Sequence, residues 1–228
     1  MTHTLATSPH PRPVVLYTAL AFLATLLFSV LFALVNYANY TWLSPLFERQ
    51  TNPTVWGLIQ RAYLILPCAV IAVWRPRQLG FQIGKIRRYA LMLALMLVAN
   101  VFVVGGYTLL AGGTPYSGLN MLFNEAVTVP LVEEVVWRGV VFAALLAALR
   151  RFLPEDRAAM LSGLFSGICF GLLHANNAFF GYPLSFVALQ TLNATVWGLV
   201  YGIARAKTGS LYPSILMHAA MNLAVALA

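Results

Sequence analysis

Long stretches without charge constrain this chain more than any other feature. Residues 14–37 form an apolar run of about 24 residues, and comparable runs recur at 54–74, 89–111, 126–148, 157–179, 184–206 and 210–228. A helix that crosses a bilayer needs about 20 such residues, so the pattern predicts about seven transmembrane helices. Only 9% of the residues are charged, 61% are hydrophobic and the mean hydropathy is +0.80. A soluble domain carries about 25% charged residues, so this chain cannot wet a globular surface. The same numbers exclude disorder, which needs low hydrophobicity and high charge. The expected fold is an all-α polytopic membrane protein. A polar, Pro-rich, disordered tail at 1–13 would precede a single transmembrane domain at 14–228, with no room for a separate soluble domain. The first run is too long for a signal-peptide core and no small-x-small cleavage site follows it, so it reads as an uncleaved span.

The basic residues orient the spans. The chain has 14 Lys+Arg against 6 Asp+Glu. With the N-terminus cytoplasmic, the inward segments hold Arg12, then Arg75, Arg77, Lys85, Arg87 and Arg88, then Arg150, Arg151 and Arg157, then Arg205 and Lys207. The outward segments hold Arg49, and Arg61 and Arg138 lie within spans. This asymmetry follows the positive-inside rule and accounts for the net charge of +8 without a nucleic-acid partner. The compact chain fits a bacterial inner membrane. Tyr37, Tyr40 and Trp42 suit an interfacial belt. The stretch RPRQLGFQIGKIRR interleaves Leu79, Phe81, Ile83 and Ile86 with cations and reads as an interfacial segment on an anionic leaflet. Cys68 and Cys169 lie in apolar runs without CxxC spacing, so no disulfide framework is expected.

Ionisable side chains inside spans are costly and mark function by default. Here they are Arg61, Glu133, Glu134, Arg138, His174 and His218. The fourth run, VPLVEEVVWRGVVF, follows a kink expected near Pro130. Glu134 and Arg138 stand at i,i+4 and can pair. Glu133 is rotated about 100° away and is left to face something else, as a general base would. A structural salt bridge with a spare Glu beside a water pocket leaves the same pattern. Trp137 shares the face of Glu133 and could shield it from water. In the fifth run, Phe170 at i−4 can pack against His174 and aim its imidazole. In the seventh, His218 and Asn222 share a face and could donate two hydrogen bonds to an oxyanion. Each histidine alone could equally be a hydrogen bond between helices. Together, the set could activate water, or Glu133, His174 and His218 could hold Zn²⁺. Asn176 and Asn177 read as a helix-end cap or as the mouth of a pocket, Gly198 and Gly202 as close helix packing, and Gln190 and Asn193 as interhelical hydrogen bonds or contacts to a substrate backbone. Arg61 would either snorkel outward or face a cavity.

The patterns EExxxR (Glu133, Glu134, Arg138), FxxxH (Phe170, His174) and HxxxN (His218, Asn222), in this order, resemble the CPBP family. These are the CAAX prenyl endopeptidases and the bacteriocin-processing or immunity proteins. The stretch KTGSLYPSILMHAAMN resembles the family's last motif with its lead-in, and the likeness covers residues 126–226. It implies intramembrane proteolysis of a membrane-associated peptide or protein. Glu133 and His174 would activate the attacking water, His218 and Asn222 would form the oxyanion hole, and Glu134, Arg138 and Phe170 would support them. The family is described as both glutamate-dependent and metal-dependent. HExxH is absent and a Zn²⁺ site would draw on three separate helices, so no cofactor is favoured and Zn²⁺ is the alternative. Glu133 and His174 each stand 17 residues from the nearest inward arginine, about 25 Å at 1.5 Å per residue. That depth predicts a site reached from the outer side or laterally from lipid. Two rival readings use the same residues. One is a proton-coupled transporter, against which no pair of related halves is visible. The other is a non-catalytic immunity or scaffold protein.

Overall fold

The computed structural model describes residues 11–43, 53–116 and 118–228, without the side chains of 11–13, 40, 43, 53–58, 60, 62–63 and 120. The regular elements among them are helical. Helix α1 spans Pro11–Ala38 and continues through a π turn, Asn39–Leu43. Helix α2 is Pro53–Trp74, the short α3 is Pro76–Leu79, and α4 is Ala90–Leu110. A wide helical stretch follows, with π turn Asn124–Thr128, α5 Val129–Glu134, π turn Val135–Val141 and α6 Phe142–Leu149. Then come α7 Glu155–Leu173, a 3₁₀ turn His174–Phe180, α8 Leu184–Thr208 and α9 Tyr212–Leu227.

Among the described residues, four helices are long and apolar enough to cross a membrane: Val14–Ala38, Arg87–Leu110, Glu155–Phe180 and Leu184–Thr208. Leu64–Trp74 and Tyr212–Leu227 are shorter apolar helices. This is fewer than the seven expected, and the shortfall has local causes. The run at 126–148 is divided by two π turns and carries Glu133, Glu134 and Arg138. Helix α9 has 16 residues, about 24 Å of rise. One further boundary differs. Helix α1 begins at Pro11, inside the expected tail, whose residues 1–10 lie outside the described residues, as does Arg49. At the kink expected near Pro130 the helix carries a widened turn. Proline lacks an N–H and its ring crowds the carbonyl four residues back, and the turn just before it, Asn124–Thr128, opens to π geometry.

Sequence punctuation explains the later helices. Pro154 and Pro183 stand at the N-caps of α7 and α8, and Glu155 and Asp156 place acid in the first turn of α7, where the helix dipole favours it. Gly209 ends α8 in the left-handed region at φ +70°. Helices α7 and α8 cross along glycine. A Cβ on Gly163 would meet the Gly202 carbonyl, one on Gly167 the Gly198 carbonyl, and one on Gly171 the backbone of Thr195. Small residues let two backbones approach this closely inside a membrane.

The antiparallel α7–α8 crossing puts the start of α7 beside the end of α8. The basic connector joins that same end. Lys85 N–H donates to Thr208 O at 2.7 Å, and Leu211 N–H donates to Gly80 O at 2.8 Å. Tyr17, near the start of α1, stacks on Phe152 at 4.1 Å. The segments 75–88, 150–157 and 205–207 therefore share one end of the bundle. The connector is more embedded than an interfacial strip, since Leu79 is buried in a core with Val135 and Leu211.

Candidate active site

A cavity of about 890 Å³ opens towards the other end of the bundle. Its wall takes Phe32 and Asn36 from α1, Arg61 from α2, Tyr107 from α4, Glu133 from α5, Gln190 from α8 and His218 and Asn222 from α9. His174 and Glu125 line it too. The fold thus draws Glu133, His174, His218 and Asn222 to one cavity from helices far apart in sequence.

Glu134 anchors the arrangement. Its Oε1 accepts from Arg138 Nη1 at 2.9 Å and from His218 Nδ1 at 3.0 Å. The side chains of Glu134 and Arg138 are fully buried. Arg138 Nη2 donates to Gly198 O at 2.9 Å, a reach that the glycine-lined α7–α8 crossing makes available. A carboxylate only accepts, so the His218 proton on this side sits on Nδ1, and Nε2 faces Glu133 Oε2 at 3.9 Å. Glu133 is 26% exposed and opens into the cavity.

His174 is the C-cap of α7 and the first residue of the 3₁₀ turn, within the span Glu155–Phe180. Its Nδ1 donates to Phe170 O at 3.0 Å, so in the neutral ring Nε2 is an acceptor. Phe170 is a hub. Its ring meets His174 edge-on at 4.9 Å and His218 at 5.9 Å, and the Arg138 guanidinium lies 4.5 Å from its centroid. Asn222 Nδ2 donates to the main-chain carbonyl of Glu125 at 3.0 Å, which leaves one amide N–H for another acceptor.

Several neighbours stand elsewhere than the sequence pattern placed them. Trp137 is not on the cavity face of Glu133. It is fully buried and packs against Phe28, Phe32 and Phe170 at 5.7, 6.0 and 6.1 Å. The π turn at Val135–Val141 breaks the 3.6-residue phasing that put the two on one face. Asn177 donates to Gln190 Oε1 at 2.6 Å instead of capping a helix. Arg61 faces the cavity, with Nη1 3.4 Å from Asn124 Oδ1. Arg205 is 5% exposed, not a surface charge; Nε donates to Arg138 O at 3.0 Å.

Glu125 escaped the sequence reading because the fourth run was taken to start one residue later. It is buried, lines the cavity, and accepts from Asn124 Nδ2 at 2.8 Å. An acid at the very edge of an apolar run was the available signal.

Among the described residues, no group of three or more His, Cys, Asp or Glu side chains is gathered so as to hold a metal ion. Glu133, His174 and His218 share the cavity, but His218 Nδ1 is engaged by Glu134 and Nε2 is directed at Glu133. In such an arrangement Nδ1 is oriented by its carboxylate and Nε2 is the ring atom left for a ligand.

Among the described residues the fold is all-helical, and a buried Glu–Arg–His network stands beside a cavity carboxylate. Residues 115–224 match the model of the Rce1-like domain, type II CAAX prenyl endopeptidase Rce1-like, a match that supports a CPBP family intramembrane protease. The family is one of CAAX-type intramembrane endopeptidases. No curated protein and no solved structure gives a significant match to the chain.

Proposed function

We propose that this protein hydrolyses a peptide bond in a membrane-associated protein or peptide precursor, with Glu133 as general base. The observation that supports this most is the division of labour between adjacent carboxylates. Arg138 and His218 both bind Glu134 Oε1, while Glu133 meets the cavity with only the Nε2 side of His218 at 3.9 Å. Glu133 takes a proton from a water whose oxygen attacks the scissile carbonyl carbon. His174, with its proton held on Nδ1 by Phe170 O, accepts a hydrogen bond from that water at Nε2 and orients it. The free amide N–H of Asn222 and, when it is protonated, Nε2–H of His218 donate to the tetrahedral oxyanion. The intermediate collapses by breaking the C–N bond, and the proton held by Glu133 passes to the leaving amine. Glu134, Arg138 and Phe170 keep the donors and the base in place.

Seven spans with a cytoplasmic N-terminus in a bacterial inner membrane fit this reading. The basic segments then face the cytoplasm and the cavity opens towards the outer side, which suits trimming of an exported precursor.

The test is a Glu133→Gln variant expressed at wild-type level in its own membrane, compared with wild type by N- and C-terminal proteomics. An uncut membrane-attached precursor is expected to accumulate and names the bond. A retained phenotype with no accumulating species overturns the protease reading in favour of a binding or immunity protein.

A further inference from the structure

Helix α8 supplies no acid or base to the chemistry proposed above, yet one stripe of it grips Arg138 at three points. Gly198, Tyr201 and Arg205 follow each other at helical spacing on one face. The Gly198 carbonyl accepts from Arg138 Nη2 at 2.9 Å. The Tyr201 ring lies 5.5 Å from the Arg138 guanidinium carbon and stacks on His218 at 5.6 Å. Arg205 Nε donates to the main-chain carbonyl of Arg138 at 3.0 Å.

The third contact is the unusual one. Arg205 is buried near one end of the bundle and donates to main-chain carbonyls. Besides Arg138 O, its Nη2 donates to Gln78 O at 3.3 Å, and its guanidinium lies 4.6 Å from the Phe142 ring centroid. The connector is shaped around it. Gly80 has φ +89°, and a Cβ there would lie 2.6 Å from Arg205 Cζ. Arg138 O belongs to the π turn Val135–Val141, where the regular helical ladder is interrupted and a carbonyl is open to a side-chain donor. A buried guanidinium is costly unless its donors are met, and here Nε is met by the turn that follows Glu133 and Glu134 and Nη2 by the connector.

We infer that Arg205 is a positioning residue for the proteolytic site, an assignment that rests on the protease reading. It clamps the π turn so that Arg138 holds Glu134 on His218 and Glu133 stays turned to the cavity. It touches neither substrate nor reacting atoms. The basic connector thereby takes part in shaping the site at the C-terminal end of α5.

The test uses the full chain in nanodiscs and two routes to the same contact, Arg205→Lys, which loses the forked donor, and Gly80→Ala, which pushes the guanidinium from outside. Hydrogen–deuterium exchange is read over residues 135–143. Both variants are expected to exchange there at least tenfold faster than wild type, with little change in α9. Turnover is read on fluorescently labelled casein or, if wild type is inert on it, on the precursor that Glu133→Gln accumulates. For Arg205→Lys a kcat at least tenfold lower is expected, with KM within twofold. In an Arg138→Lys background, Arg205→Lys is expected to lower kcat by no more than about threefold further, because both act through one turn. Unchanged exchange overturns the clamp. Faster exchange with wild-type kcat, or losses that multiply in the double variant, overturn the positioning role. No turnover of casein by wild type, with no precursor accumulating in Glu133→Gln, overturns the protease reading itself, which the exchange result would survive.

Discussion

His218 Nδ1 donates to Glu134 Oε1 at 3.0 Å, joining residues 84 positions apart through a carboxylate that Arg138 also binds at 2.9 Å. Glu134 therefore ties α9 to α5 through a buried network that also holds the Arg138 cation. Glu134→Gln leaves the buried Arg138 without its counter-charge, at a cost of about 3–5 kcal/mol. Thermal unfolding in detergent is expected to fall by on the order of 10 °C, with activity lost as well.

Glu133→Gln should behave differently, because Glu133 opens into the cavity. Its melting temperature is expected to match wild type, while turnover falls on the order of 10²–10⁴-fold. A comparable fall in melting temperature in both variants would remove the distinction between base and anchor.

Phe170→Leu keeps an apolar side chain and removes the π face under Arg138, 4.5 Å away, together with the edge contacts to both histidines. Cation–π and aromatic contacts of this kind are each worth about 0.5–2 kcal/mol. We expect kcat to fall about tenfold or more at nearly constant KM, measured on the same substrate as wild type. An unchanged kcat would show that the imidazoles hold their aim without the ring.

Gly167→Leu puts a side chain where the Gly198 carbonyl stands. Helices α7 and α8 must separate, and the Arg138 hydrogen bond to Gly198 O stretches with them. Overpacking costs typically about 1–3 kcal/mol, and loss of the buried bond adds to it. The expected outcome is a lower melting temperature and loss of turnover, whereas Gly106→Ala on α4, where a Cβ meets nothing within 4 Å, should be neutral.

Access and metal dependence have their own measurements. A Gln190→Cys variant in sealed cells should react with a membrane-impermeant maleimide added outside, above the background of Cys68 and Cys169. Reaction only from the cytoplasmic side would reverse the proposed orientation. Dialysis against a strong chelator should leave turnover within twofold; a loss restored by Zn²⁺ would establish the metal-dependent alternative.

Much was legible in the chain itself. Charge-poor runs dictate helices in a membrane, because backbone polar groups there must be satisfied within the segment. The i,i+4 spacings of Glu134 with Arg138, of Phe170 with His174 and of Gly198 with Gly202 are local, and each leads to the contact it promises. Motif order was enough to point to the family that residues 115–224 match.

Tertiary structure decided which polar groups share an environment. Glu134 meets His218 only because α9 packs against α5, and no spacing along the chain encodes that bond. Trp137 left the face of Glu133 because a π turn shifted the helical phase, a change that 3.6-residue counting cannot foresee. Arg205 looked like a surface charge because it stands at the end of an apolar run, but the π turn and α3 each supply it a carbonyl in place of water. Glu125 became a cavity residue for the same reason. Sequence sets what a segment can bury, through its own hydrophobicity and turn chemistry. Where a polar side chain ends up depends on the partners that other segments bring to it.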